Sequence, residues 1–239
     1  MREEDRRRTA LVLGAGSEIG RATIKRFLDA EFDVLAYTSG SSPLGTGFDS
    51  GVTVVALDLR DLESVEHHVR DSVRLGEVDA LVCLAAQVEP SSLASVTAKQ
   101  LSDSVNVGAL ANYLFIGRIG PSMAKRGWGR IVIGSSIGVR FGGGADSFAY
   151  ALSRHTAEFL PAVTREWAAR NVLTNVVRIG VTDTAAHSAF TGRSFEQRVS
   201  LIPARRPADP SEIADYLFWH GSDSNTFVTG QVLAISGGE

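Results

Sequence analysis

The chain has 239 residues, 44% of them apolar, with 24 glycines and a net charge of -3, which suits one sizeable core in a single domain. A pI near 6.0 and the lack of any long run of one charge sign give no general attraction to phosphodiester backbones or anionic lipid, so neither nucleic acid nor membrane is an expected partner. The opening MREEDRRR reads as a charged arm over residues 1–8, and the apolar run after it is too short for a signal sequence or a membrane span, which points to the cytoplasm.

From Thr9 onward, short apolar runs of strand type alternate with amphipathic stretches of helix length. TALVLGA from Thr9 is followed by the helix-like IGRATIKRFLDAE, then by DVLAYTS from Asp33 and VTVVALD from Val52. LESVEHHVRDSVR leads to DALVCLA from Asp79, and a long helical pattern over residues 101–126 leads to RIVIGS from Arg130. A second long pattern over residues 150–170 precedes LTNVVRI from Leu173, and PSEIADYLFWH precedes QVLAIS from Gln231. Seven such strands predict one doubly wound, Rossmann-type α/β domain over residues 9–239, its seven-stranded parallel sheet flanked by helices on both faces. Ligands of such a sheet bind at the carboxyl ends of the strands, where strand order reverses. Cys83 inside ALVCLAA reads as a small hydrophobe, and the histidines lack ligand spacing, so no metal is expected.

Gly14, Gly16 and Gly20 in LGAGSEIGRA occupy a strand-to-helix turn in which missing side chains let backbone amides reach a phosphate at a helix N-terminus. With Ser17, Glu18 and Ile19 they form a candidate dinucleotide pyrophosphate site, although the spacing is one residue longer than G-x-G-x-x-G. Asp58, followed by Leu59 after the third strand, either accepts from an adenine amino group or caps the next helix. The segment YTSGSS after the second strand carries no acid to repel a 2′-phosphate. Its hydroxyls, among them Thr38, Ser39, Ser41 and Ser42, favour NADP(H) as cofactor, with NAD(H) the alternative and Arg21 the nearest basic side chain.

The glycine turn, Asp58, Asn106 in DSVNVGAL, GRIVIGSSIG, Tyr150 and the tail PADPSEIADYLFWHGSDSNTFVTGQVLAISGG together resemble the short-chain dehydrogenase/reductase (SDR) family, from Thr9 to Gly238. The resemblance implies a nicotinamide cofactor, hydride transfer between an alcohol and a ketone, and a homotetramer or homodimer packed through two long helices. It also implies Tyr150 as acid/base, Ser136 polarising the substrate oxygen and Asn106 holding a water. The gap from Ser136 to Tyr150 is one residue longer than usual and that from Ser135 is longer still, so Ser136 is preferred and Ser135 is the alternative. Ala85 and Ala86 would pass close to the cofactor, while Gly180, Val181, Thr182 and Thr184 would close on the nicotinamide. Residues 183–206 would form the substrate lid, with Phe190 and Phe195 as apolar surface and Arg193 or Arg198 available to an anion.

Several positions depart from the family pattern. Glu18 replaces a glycine, Cys83-Leu84 replaces two asparagines that tie the central sheet, Ile179 replaces a proline, and Pro161 should kink or end a long helix. Most consequentially, Arg154 stands where the family has the lysine of Tyr-x-x-x-Lys, on the same helix face as Tyr150. Arginine keeps a positive charge beside the phenol but cannot lose a proton, and its bland alternative is a surface ion pair with Glu158. The expected function is an NADP(H)-dependent carbonyl reductase interconverting a ketone and a secondary alcohol on a small or medium organic molecule. The competing reading is a repurposed relative that performs elimination or isomerisation, or acts as a scaffold.

Overall fold

The computed structural model describes residues 6–40, 44, 48, 50–189 and 194–239, without the side chains of 187 and 188. Ser41, Ser42, Phe190 and Arg193 therefore lie outside the described residues. Strands β1 (Thr9–Leu13), β2 (Asp33–Thr38), β3 (Val52–Ala56), β4 (Val78–Cys83), β5 (Gly129–Ser136), β6 (Val172–Ile179) and β7 (Val232–Ile235) form one parallel sheet in the order β3-β2-β1-β4-β5-β6-β7. The helices are α1 (Glu18–Asp29), α2 (Leu62–Asp71), α3 (Ala98–Val105), α4 (Ala111–Arg126), α5 (Phe148–Thr156), α6 (Val163–Ala168), α7 (Phe195–Ser200) and α8 (Pro210–Gly221). This is the doubly wound sheet that the alternating pattern predicts.

The central strands are apolar on both faces because both are covered. Phe27 and Ile24 of α1 and Leu217 of α8 bury one side of β1 and β4, while Phe115 and Ile119 of α4 with Val65 of α2 bury the other. Strand order reverses between β1 and β4, which opens the crevice at their carboxyl ends.

Two helices differ from the expected lengths. The pattern over residues 101–126 is interrupted by a π-helical turn at Asn106–Leu110, a wide turn of the kind found at functional sites. The pattern over residues 150–170 is two helices: α5 ends at Thr156 and α6 begins at Val163, with Pro161 between them lacking the amide that would continue the ladder. At the opposite sheet edge the arm is tied down, since Arg6 pairs with the buried Asp79 at 2.6 Å and Arg8 pairs with Asp223 while stacking 4.0 Å over Trp128. Among the described residues no helix is long and apolar enough to cross a membrane.

Candidate active site

A cleft of about 1420 Å³ runs along the carboxyl edge of the sheet, from the ends of β2 and β3 to α7 and Glu239. At its β3 end, the Arg60 guanidinium forks onto Asp58 at 2.6–3.1 Å. The hydrogen bonds from Arg60 hold the Asp58 carboxyl below its usual range against a smaller opposing effect of burial. The helix cap that Asp58 might have supplied comes from Asp61, which accepts from Ser64 N at 3.1 Å.

In the glycine turn, Gly14 has a φ of 81°, and a Cβ there would lie 2.6 Å from Ala85 N, so this turn presses on the end of β4 as only glycine can. Ser17 caps α1, accepting from Gly20 N at 3.0 Å. Glu18 forms no ion pair with Arg21, whose guanidinium donates to the Gly16 carbonyl. Its Oε1 accepts from Ala185 N at 3.0 Å, a bond that holds its carboxyl below the usual range and joins α1 to the segment after β6. The open glycine turn at a helix N-terminus, backed by the long cleft, fits a dinucleotide.

At the β5 end, Tyr150 and Arg154 of α5 share the wall with Ser135 and Ser136. Arg154 is only 3% exposed, so the surface ion pair is not formed. Its Nη1 donates to Gly134 O at 2.9 Å, and its Nη2 to Ala85 O at 2.6 Å and Leu84 O at 3.3 Å, with Cζ 5.5 Å from the Tyr150 ring centre. The guanidinium thereby ties the ends of β4 and β5, where this sequence lacks the two sheet-tying amides.

Glu158 belongs to another pair. Both of its oxygens accept from Arg178 of β6 at 2.7 Å, and Oε1 also accepts from Ser135 Oγ at 2.7 Å. Burial pushes the Glu158 carboxyl up, but the bonds from Arg178 and Ser135 outweigh it and hold the group below its usual range. The Ser135 hydroxyl is therefore committed to Glu158, whereas the Ser136 hydroxyl only accepts from Gly138 N at 3.1 Å and retains its own proton to donate.

A family model described as enoyl-(acyl carrier protein) reductase matches residues 14–239. The chain belongs to the short-chain dehydrogenase/reductase family. It is 27% identical to a 3-oxoacyl-[acyl-carrier-protein] reductase of Vibrio harveyi over 234 residues, 96% of either chain. It is also 27% identical to an acetoacetyl-CoA reductase of Shinella zoogloeoides, covering 97% of this chain and 98% of that one. Among solved structures it resembles a putative NAD(P)-dependent gluconate 5-dehydrogenase of Beutenbergia cavernae with bound NADP, at 31% identity and a TM-score of 0.83, covering 96% of this chain and 95% of that one. As a short-chain dehydrogenase/reductase the chain is an NAD(P)-dependent oxidoreductase of a ketone or its alcohol.

Within this SDR fold, the cleft gathers Gly14, Ser17, Glu18, Ile19, Thr38, Ser39, Asp58, Leu59, Ala85, Ala86, Ser136, Tyr150, Arg154, Gly180, Val181, Thr182 and Thr184. Gly20 lies behind the wall, where a Cβ would come within 2.3 Å of Gly14 O, so its role is close packing of α1 on the glycine turn. Asn106 also lies off the wall, its Nδ2 donating to Arg60 O at 2.9 Å. Arg60 and Glu239 are cleft residues that the sequence reading missed. The charged string DLRD was a signal for the first; nothing local marks the second. Among the described residues no cluster can hold a metal ion.

Proposed function

We propose that this reductase converts a ketone to a secondary alcohol with NADPH. The observation that carries the reading is Tyr150 on the cleft wall beside a buried, permanently charged Arg154, with Ser136 on the same wall. The turn at Gly14, Ser17 and Ile19 would hold the pyrophosphate, Asp58 and Leu59 the adenine, and Gly180 to Thr184 the nicotinamide. No acid stands at the end of β2 in the sequence, while Thr38 and Ser39 line that part of the cleft, which favours a 2′-phosphate. The relative from Beutenbergia cavernae, with NADP bound, supports the same choice.

When bound, NADPH supplies a hydride to the carbonyl carbon. Tyr150 Oη gives its proton to the carbonyl oxygen, and the Ser136 hydroxyl donates to that oxygen as charge develops on it. The Arg154 charge favours the phenolate left behind. Arg154 keeps its own protons, so the proton that returns to Tyr150 would have to arrive by a route other than the cation. The Glu18 and Arg154 departures each make a structural contact, to Ala185 N and to the carbonyls of Gly134, Leu84 and Ala85, so neither calls for a non-redox reaction.

Copies of the chain would meet through its apolar faces: Phe159, 68% exposed, lies between α5 and α6, and Phe227, 91% exposed, lies between α8 and β7. A homodimer or homotetramer in the cytoplasm is the expected state. Absorbance at 340 nm tests the reaction: the protein should oxidise NADPH with simple ketones, and Tyr150→Phe should lower turnover about 10²- to 10⁴-fold. No NADPH oxidation across a broad carbonyl panel would end this reading.

A further inference from the structure

We propose that Arg198 receives a carboxylate of the carbonyl substrate, which makes the substrate an oxo acid; this rests on the reading of the cleft as a ketone-reducing site. Three arginines line the cleft among the described residues, and two are already engaged. Arg60 is forked to Asp58, and Arg154 is spread over the carbonyls of Gly134, Leu84 and Ala85. Arg198 forms no ion pair with a described carboxylate; its Nε, like that of Arg154, is enclosed without an acceptor, but unlike Arg154 it has no carbonyls of neighbouring strands on its terminal nitrogens. A guanidinium brings five donors, and leaving an enclosed one unmatched is costly until an anion arrives.

The position of Arg198 separates it from the phosphates of the cofactor. Its helix, α7, is followed by a segment seated on the chain beyond β7: Ala204 N donates to Gly237 O at 3.0 Å, and Ile202 is buried against the same segment. Gly237 and Gly238 have φ of 64° and 103°, and a Cβ on Gly238 would lie 3.0 Å from Pro203, so this close seating requires glycine. Arg198 is therefore held at the β6–β7 side of the cleft, whereas the glycine turn follows β1 and the candidate 2′-phosphate position follows β2.

Glu239 shares this end of the cleft, and its Oε2 is likewise buried without a partner. Burial pushes its carboxyl up, against the opposing charge of Arg198. The upward shift favours the protonated form of Glu239, which donates to an incoming carboxylate where the ionised form would repel it. The two unmatched groups thus complement one carboxylate, with Phe195 and Leu201 covering the carbon chain that leads back to the ketone.

Levulinate and its methyl ester, which share a skeleton and differ in charge, test the proposal. The wild-type protein should prefer the acid. In Arg198→Gln the ratio of kcat/KM for acid over ester should fall about tenfold or more, which corresponds to about 1.4 kcal/mol or more. The loss should lie in KM, and Arg198→Lys should restore part of it. An unchanged ratio, an equal fall for both probes, or a rise in the NADPH Kd matching the loss would overturn the assignment. Calorimetric titration with levulinate reads the anion site even without turnover: binding by the wild type that Arg198→Gln abolishes supports it, and absent or equal binding overturns it. Levulinate binding without any NADPH oxidation would defeat the ketone-reducing reading alone.

Discussion

A lysine at position 154 would offer one ammonium where the arginine serves carbonyls of two strands, Gly134 on one side and Leu84 and Ala85 on the other. Restoring the family's Tyr-x-x-x-Lys in Arg154→Lys should therefore weaken this protein rather than improve it. Stranding one or two buried carbonyls costs about 1–3 kcal/mol each, so urea unfolding should register a loss of about 1–6 kcal/mol, with no gain in NADPH turnover. A more active and equally stable variant would show that the brace is dispensable. The identity and spacing of Tyr150 and Arg154 are legible in the sequence; the direction of the guanidinium is not. It depends on carbonyls some 20 and 70 positions away in the chain, brought alongside only by the packing of α5 on the sheet.

Glycine conformation and the junctions between helices act at the level of elements. Gly14→Ala would force a Cβ to 2.6 Å from Ala85 N at a φ of 81°, pressing the turn off β4. Fluorescence titration should find NADPH binding weakened about tenfold or more, and thermal unfolding a lower Tm. The Glu158–Arg178 pair joins the end of α5 to β6, and Glu158→Gln leaves the Arg178 charge partly buried and unmatched. Removing one member of a buried pair costs about 3–5 kcal/mol; with the Arg178 side chain 26% exposed, the low end of that range is expected in denaturant unfolding. Strand and helix order were legible because apolar periodicity is local. The break at Pro161 was legible as a disturbance, but whether a proline kinks a helix or ends it depends on what packs beyond it. The π turn at Asn106–Leu110 left no periodic signal, and its tight contact with α5, where a Cβ on Gly108 would lie 2.2 Å from Ser153 Oγ, is a tertiary fact.

For the whole molecule, acid should be destabilising in two stages. His220 on α8 is 1% exposed, with both ring nitrogens unpartnered, and burial pushes its pKa down to about 4. Its depressed folded value means that its contribution is fully present above the unfolded pKa of about 6.5 and is lost as the pH falls toward 4, by about 3 kcal/mol in all. Glu158, also depressed, adds a further loss only below its unfolded value of about 4.3. Stability measured by urea unfolding between pH 7 and 4.5 should fall in the wild type and stay flatter in His220→Phe, which has no ring to protonate; parallel curves would assign the first stage elsewhere. The sequence by itself determined the doubly wound sheet, the glycine turn and the candidate residues on most of the cleft, because apolar alternation and motif spacing are properties of neighbouring positions. Only the tertiary structure decided which serine stays free, that Glu18 bonds Ala185, that Arg154 braces two strands, and that Arg198 and Glu239 share one end of the cleft. Those outcomes depend on groups distant in the chain competing for the same buried hydrogen bonds, and that competition is resolved only once the sheet has brought them together.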